Sequence, residues 1–314
     1  MSENVQMLFC LMGPTASGKT DLACELASHF PFEIISVDSA MVYREMTIGT
    51  AKPTRDILEQ FPHHLIDMID PIDTYSASQF CHDVDKLCKM ILKRGKIPLL
   101  VGGTMMYFHA LQQGLSSLPE ADEEVRSQLM HEATIYGWGY MHQMLDAVDP
   151  VSAARIHPHD TQRIQRALEV YRLTNQPLSA LLHQDKPAPR YQFVNIALCP
   201  DARSWLHDRI AQRFDHMLSD GVIDEVKTLL QTWPLTLDHP SMRSVGYRQV
   251  FMYLQGDYDE TMLREKGIVA TRQLAKRQLT WLRHWPKGMS FSAEDPNTFA
   301  LIRAYIQETL ERFK

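Results

Sequence analysis

Residues 13–20 read Gly13-Pro14-Thr15-Ala16-Ser17-Gly18-Lys19-Thr20, a GxxxxGK[ST] string, with an apolar run (MLFCLM, 7–12) before it and a helix-spaced stretch, 20–30, after it. That order constrains the chain more than any other feature. A glycine-rich turn between strand and helix lets successive backbone N–H groups point at one anion, and the helix N-terminus adds positive potential. Lys19 brings a point charge, and a hydroxyl at the position of Thr20 can hold Mg²⁺. Runs at 33–38 and 96–101 also read as buried strands, while 78–94 carries Phe80, Val84, Leu87, Cys88 and Ile91 at helical spacing. Strands alternating with helices predict a parallel, helix-covered sheet.

Turn residues and acids at 116–124, then two prolines at 183–190, interrupt this rhythm. Between them lie helical patterns only, at 122–136, 140–148 and 160–173. A strand resumes at 191–198, and helices follow near 202–219, 221–232 and 260–285. The expected fold class is α/β: a P-loop parallel-sheet core (1–118) interrupted by an all-helical insertion (119–190) and continued by 191–314. A chain of 314 residues accommodates two such units at ~150 residues each. Its 45% hydrophobic and 22% charged fractions exclude a wholly disordered protein. The net charge of −6 excludes a polycation that coats phosphate polymers, so any nucleic-acid contact must be local. Cys10, Cys24, Cys81, Cys88 and Cys199 form no CxxC or Cys/His cluster, which argues against a zinc site or a disulfide framework. The apolar run at 7–12 is too short to span a bilayer. A reducing cytoplasm, with no membrane partner, is the expected location.

A phosphate-hydrolysing P-loop protein normally carries an acid at the end of a further strand to organise its metal. Here 97–101 runs into Gly102-Gly103-Thr104, which lowers the hydrolase reading and leaves kinases open. Asp38 ends the second strand, at the sheet edge where ligands of open α/β folds bind. It could face an acceptor or cap the turn into Ser39. The 49–54 loop brings one cation, Lys52. Between 267 and 287 stand Arg272, Lys276, Arg277, Arg283 and Lys287 with no acid among them. Arg272 and Lys276 lie one helical turn apart, while Leu274, Trp281 and Leu282 are placed to pack inward. This stripe reads as a phosphate contact, the alternative being a solvated charged face. In the insertion, Arg163 and Arg166 share a face of a helix for which Asp160 is the expected N-cap.

Read together, GPTASGKT, VDSAMVY, IGTAKPT, FPHHLID, YSASQF and VGGTMMYF resemble the tRNA dimethylallyltransferases, the tRNA isopentenyltransferases of bacteria. The likeness continues through 160–169, 243–249 and 271–283 and omits only residues 290–314, which show an amphipathic helix and no functional signal. It implies a prenyltransferase that moves a dimethylallyl group from dimethylallyl diphosphate to N6 of adenosine 37 in the anticodon stem-loop of tRNA, with Mg²⁺ as cofactor. The phosphates then belong to a leaving group, which accounts for the missing acid.

The resemblance further implies that Gly13, Pro14, Thr15, Ala16, Ser17, Gly18, Lys19 and Thr20 hold the diphosphate. Asp38 would act as base, with Lys19, Thr20 and Thr104 in the catalytic set and Thr20 at the metal. Thr104 could instead only cap the helix from Met105. Met41, Met105, Met106 and Tyr107 would wall the prenyl group or simply fill core. For tRNA it implies Asp38, Ser39, Ala40, Met41 and Thr104 near the target base. Arg126, Gln162, Arg163, Ile164, Gln165 and Arg166 would contribute from the insertion, Arg126 alternatively pairing with Glu123 or Glu124. Arg243, Ser244, Val245, Gly246, Tyr247 and Arg248 would contribute from a turn. Lys276, Arg277, Gln278, Leu279, Thr280, Trp281, Leu282 and Arg283 would contribute from the basic helix. Insertion and C-terminal helices would clamp a stem-loop whose target base is already partly unstacked. The enzyme is expected to be a monomer. Two rivals stand beside this reading: a P-loop kinase of a nucleoside or small metabolite, and a non-enzymatic RNA-binding protein. The His63-His64 pair is read as core or as a contact at the site's mouth.

Overall fold

Side-chain alternation on the first strand decides the layering. In β1 (Gln6–Met12), Leu8, Cys10 and Met12 face one way and Phe9 and Leu11 the other, and none is more than 1% exposed. A strand apolar on both faces belongs in the middle of a parallel sheet. It pairs with β4 (Ile97–Gly102) on one side and β5 (Tyr191–Cys199) on the other, Phe9 standing opposite both Leu99 and Val194. With β2 (Phe32–Val37), β3 (His63–His64) and β6 (Met289–Ser292), the order is β3-β2-β4-β1-β5-β6, every pairing parallel. This computed structural model describes residues 6–114, 118–182 and 190–312.

Helices α1 (Lys19–His29) and α14 (Thr298–Arg312) cover one face, bringing Leu22, Ala23, Leu26, Ile302 and Ile306 onto Phe9, Leu11, Ile34 and Leu99. On the other face, α3 (Ala77–Lys93) and α4 (Met105–Gln113) pack Phe80, Val84, Cys88 and Ile91 against Leu8, Cys10, Ile35 and Leu100. A reciprocal Ser76/Gln79 capping box starts α3. Short α2 (Arg55–Gln60) precedes β3 and buries nothing. Past β5, α10 (Arg203–Ser219), α11 (Val222–Thr232), α12 (Tyr247–Leu254) and α13 (Glu260–Arg283) enclose a further core. Phe214, Val226, Tyr247 and Leu263 there meet Val42, Tyr43 and Met46 from the loop after β2. Truncating any such fully buried leucine to alanine costs about 2–5 kcal/mol.

The chain separates into two compact units, Met1–Gln112 with Arg190–Lys314, and Gln113–Pro189. The second contains α5 (Glu123–Tyr136), α6 (Trp138–Val148), α7 (Pro150–Arg155), α8 (Thr161–Thr174) and α9 (Leu178–Leu182) around Leu129, Met141, Leu145, Ile164 and Leu168. Asp149, 1% exposed, holds this unit together. It caps α7 at the Ser152 N–H (3.0 Å) and accepts from the Ser179 N–H and hydroxyl (2.9 and 2.6 Å).

The expected α/β fold with its P-loop parallel core is the one observed. The four expected strands appear with ends shifted by a residue or so. The two edge strands, β3 and β6, are too short to leave an alternating pattern. Of the two expected hinges, residues 115–117 and 183–189 lie outside the described residues, and Asp122 in the first is the N-cap of α5.

Candidate active site

The turn after β1 wraps its own lysine. Lys19 Nζ donates to the Pro14 carbonyl at 2.5 Å and lies 3.4 Å from the Ser17 hydroxyl. Burial, reinforced by the nearby Arg213 charge and opposed by Asp38, pulls the Lys19 ammonium down to about 7. Within the turn Ala16 sits at φ +64°, and its carbonyl accepts from Arg209 Nε at 2.8 Å. Arg209 lies over the Trp205 ring, 4.9 Å from its centroid. Arg213, one turn further along α10, donates to the Thr50 carbonyl at 3.3 Å. Its burial weakens its hold on a proton, and Asp38 counteracts this. Asp38 therefore faces both Lys19 and Arg213, whereas Lys52, more weakly coupled to Asp38, is neutralised chiefly by Asp67 and Glu225. Such an excess of partly desolvated positive charge around a P-loop is what a diphosphate requires.

The two oxygens of Asp38 are differently engaged. Oδ1 accepts from the Ala40 and Met41 N–H groups at 2.8 and 3.2 Å, the turn-capping role expected of this residue. Oδ2 carries no hydrogen bond among the described residues and is free for an acceptor. The Thr104 hydroxyl accepts from the Ser39 N–H at 3.1 Å and lies 3.4 Å from the Ser39 hydroxyl. The Thr104 hydroxyl thus bridges the loops that follow β2 and β4, while its carbonyl accepts the first N–H bonds of α4 from Tyr107 and Phe108 at 2.9 and 3.5 Å. The paired glycines let these loops approach: a Cβ on Gly102 would lie 2.0 Å from the Val37 carbonyl oxygen, and one on Gly103 2.4 Å from Gln278 Nε2.

Gln278 is the strut between cradle and loop. Its Oε1 accepts from the Thr15 N–H at 2.9 Å and its Nε2 donates to the Gly103 carbonyl at 2.9 Å. Glu225 plays a similar part below the 47–49 loop, accepting from the N–H groups of Thr47, Ile48 and Gly49 at 2.7–3.2 Å and from the Tyr247 hydroxyl at 2.5 Å. Lys52 is anchored internally, donating to the Tyr43 carbonyl and to Asp67 at 2.5 and 2.6 Å. Of the residues expected to wall the prenyl group, Met105 and Tyr107 are buried and Tyr107 feels the Asp38 charge. Met41 lies 3.8 Å from the Ser36 hydroxyl. Met106, at 53% exposed, turns to solvent, so its place in that wall is corrected.

A profile described as IPP transferase matches residues 41–285, and one described as isopentenyl transferase matches 6–68. The tRNA dimethylallyltransferase of Legionella pneumophila (strain Lens) is 61% identical over 306 residues, covering 98% of each chain. That of Coxiella burnetii (strain RSA 331) is 55% identical over 302 residues, 96% of this chain and 97% of its own. The chain belongs to the IPP transferase family. Among solved family structures, the Bacillus halodurans tRNA isopentenylpyrophosphate transferase superposes with a TM-score of 0.72 at 36% identity over 98% of both chains. A eukaryotic dimethylallyltransferase described as acting on tRNA superposes with a TM-score of 0.82 at 26% identity, over 98% of this chain and 80% of that one.

In this IPP transferase the residues expected to meet RNA divide by exposure. On α13, Lys276, Arg277, Thr280 and Arg283 are exposed, and neither the three cations nor Arg272 form an ion pair among the described residues. Gln273, Lys276, Arg277, Thr280 and Trp281 line an open hollow of ≈ 480 Å³. Trp281, expected to pack inward, is 41% exposed and touches the His109 ring at 5.5 Å. Gln278 at 8% and Leu282 at 9% exposure are core residues, and Leu279 is half-buried, so the RNA expectation is corrected for the first two. The same holds for Tyr247, fully buried against Gly49, and for Ile164, fully buried in the second unit. Arg243 is exposed and held by the Leu237 carbonyl at 3.1 Å, Ser244 and Val245 are half-buried, and Arg248 is exposed beyond Gly246. On α8, Gln162 and Arg163 are exposed, with Arg163 paired to the N-cap Asp160. Gln165 donates to the Arg126 carbonyl at 3.3 Å. Arg126 and Arg166 both bind Glu169, a partner the sequence did not single out. Ser39 is exposed, and Ala40 and Met41 are half-buried. His63 and His64 sit on the edge strand β3, bonded to the Phe61 carbonyl and to Glu33.

Arg209 and Arg213 were missed because a helix with three arginines and two aspartates is commonplace. Their signal was present: they stand one turn apart, and no acid occupies the positions three or four residues away that would pair with them.

Proposed function

We propose that this chain transfers a dimethylallyl group from dimethylallyl diphosphate to N6 of adenosine 37, 3′ of the anticodon in tRNA, and releases pyrophosphate. The observation that carries the reading is the free Asp38 Oδ2 beside the cations of a phosphate cradle whose neighbouring strand ends in glycines. The adenine N6 lone pair attacks the allylic carbon, the C–O bond breaks, and both its electrons leave on the diphosphate. Lys19, Arg213 and the loop N–H groups stabilise the charge that collects there. Asp38 Oδ2 orients the amine and takes its proton, while Oδ1 keeps the loop in place. Met41 and Tyr107 would keep water from the allylic centre.

The donor set suits Mg²⁺. The Thr20 hydroxyl carries no hydrogen bond among the described residues, and these contain no cluster of three His, Cys, Asp or Glu suited to a metal. A hard cation held by one hydroxyl, water and substrate oxygens fits that set, and a protein-caged metal does not. When bound, Mg²⁺ would neutralise charge on the departing pyrophosphate. The exposed cations of α13 would contact phosphates of the anticodon stem-loop, and Arg163 of α8 is a separate candidate for tRNA contact on the helical unit. No helix among the described residues is long and apolar enough to cross a membrane, and the reading places the enzyme, as a monomer, with tRNA in the cytoplasm.

The kinase reading is not favoured, since relatives 61% and 55% identical carry the dimethylallyltransferase name. The deciding assay incubates the protein with unmodified tRNA, dimethylallyl diphosphate and Mg²⁺, digests the RNA and weighs its nucleosides. An adenosine heavier by one C₅H₈ unit is expected. Unchanged adenosine, together with transfer of the terminal phosphoryl group of ATP to a small acceptor, would overturn the proposal.

A further inference from the structure

The second unit holds a carboxylate that the chemistry above does not use. Glu169 on α8 is 0% exposed, and every bond it makes is accounted for. Oε1 accepts from the Asp122 N–H at 2.9 Å and from Arg126 Nε at 2.8 Å. Oε2 accepts from Arg126 Nη2 at 3.3 Å and from Arg166 Nη1 at 2.6 Å. Arg166 Nη2 is fixed in turn by the Pro119 carbonyl at 2.6 Å. One buried negative charge is therefore shared by two guanidinium groups whose side chains remain 42% and 30% exposed. Arg126 keeps Nη1 and Arg166 keeps Nε without a partner among the described residues.

Joining α5 to α8 does not require this arrangement. A buried ion pair adds little net stability over apolar packing of the same size, and one arginine would have satisfied the carboxylate. Two guanidinium groups side by side repel each other unless a negative charge bridges them. Here the bridging carboxylate is fully buried, which leaves a net positive charge and one unpartnered nitrogen on each of two partly exposed guanidinium side chains. A planar fork held this way suits an RNA phosphate oxygen.

We infer that Glu169 is a positioning residue for tRNA: it sets Arg126 and Arg166 as one preorganised phosphate site on the helical unit. The inference rests on the tRNA-modifying reading above.

The test uses full-length Glu169→Gln, which keeps one carbonyl oxygen for Asp122 and Arg126 but turns an NH₂ toward Arg166. Removing a negative charge should on electrostatics alone tighten tRNA binding, whereas loss of positioning weakens it. The expected result is a KM for tRNA raised about tenfold, with kcat and the KM for dimethylallyl diphosphate unchanged and a salt dependence of tRNA binding shallower by about one phosphate contact. An unchanged or lowered KM for tRNA in a folded Glu169→Gln protein overturns the inference. Should that variant lose its helical circular dichroism, Arg126→Lys decides: it keeps the charge and loses the fork, so a severalfold rise in KM for tRNA at constant kcat supports the positioning role, and an unchanged KM overturns it. A wild-type chain that neither binds nor prenylates tRNA overturns the functional reading and this inference together. An active wild type beside indifferent variants overturns the inference alone.

Discussion

Two side chains at the cradle carry opposite demands, and each makes a separate prediction. Lys19 without ligand sits near pKa 7 because burial and Arg213 disfavour its charge, and a bound diphosphate favours the charged form. Binding therefore takes up a proton at pH values above about 7, and affinity must fall as pH rises from about 7.5 toward 9.5, by at most about tenfold per unit for one proton. Below about pH 6 the lysine is already protonated and contributes almost no slope. Calorimetric titration of dimethylallyl diphosphate in buffers of different ionisation enthalpy counts that proton, and Lys19→Arg, charged throughout, should abolish it. Absence of proton uptake in the wild type would remove the ammonium from the binding step. For Asp38, the Asn variant keeps an oxygen for the Ala40 and Met41 N–H groups, so the turn survives while the base is lost. Its kcat should fall ~10²–10⁴-fold with the KM for dimethylallyl diphosphate little changed. A near-normal kcat would assign Asp38 to the turn alone.

At the scale of elements, the site depends on how α10 and α13 cross. A Cβ on Gly267 of α13 would lie 2.0 Å from the Phe214 ring, and Phe214 follows Arg213 directly. Glycine to alanine inside a helix ordinarily stabilises by about 1 kcal/mol. Here the forced separation of the helices should reverse the sign, costing about 1–3 kcal/mol and shifting Arg213 relative to Lys19. Thermal unfolding of Gly267→Ala should show a lower Tm together with a raised KM for dimethylallyl diphosphate. A higher Tm would mean that Phe214 moves aside freely. The same crossing explains which parts of the site could be read in advance. The P-loop and Asp38 are local patterns, each complete within a few residues, and the strand and helix around them follow from periodicity. Gln278 supports Thr15 across 263 residues and Arg209 reaches Ala16 across 193, contacts created by the packing of helices that look ordinary in the chain. Gln278, Tyr247 and Ile164 lie within stretches whose likeness to relatives suggested RNA, because a motif does not reveal which of its residues face inward. Glu169 reads as one more acid on a helix until α5 packs beside it.

For the molecule as a whole, net charge and task are in tension: a chain of −6 must hold a polyanion. Beyond about 8–10 Å at physiological ionic strength the overall repulsion is screened, so binding has to come from short-range cations that no acid neutralises. Lys276, Arg277 and Arg283 on α13 meet that condition, exposed and without ion pairs among the described residues. Arg264, on the same helix, does not, since Asp215 holds it at 2.5 and 2.8 Å. Affinity for tRNA should therefore fall steeply between 50 and 200 mM salt, and each alanine placed at Lys276, Arg277 or Arg283 should reduce the log–log slope by ~0.7–0.9. Arg264→Ala should leave that slope where it was, because its charge is already matched. The KM for dimethylallyl diphosphate should be indifferent to all four substitutions. Filter binding across a salt series reads each slope directly, and equal slopes for Arg277→Ala and wild type would put the RNA on another face of the protein.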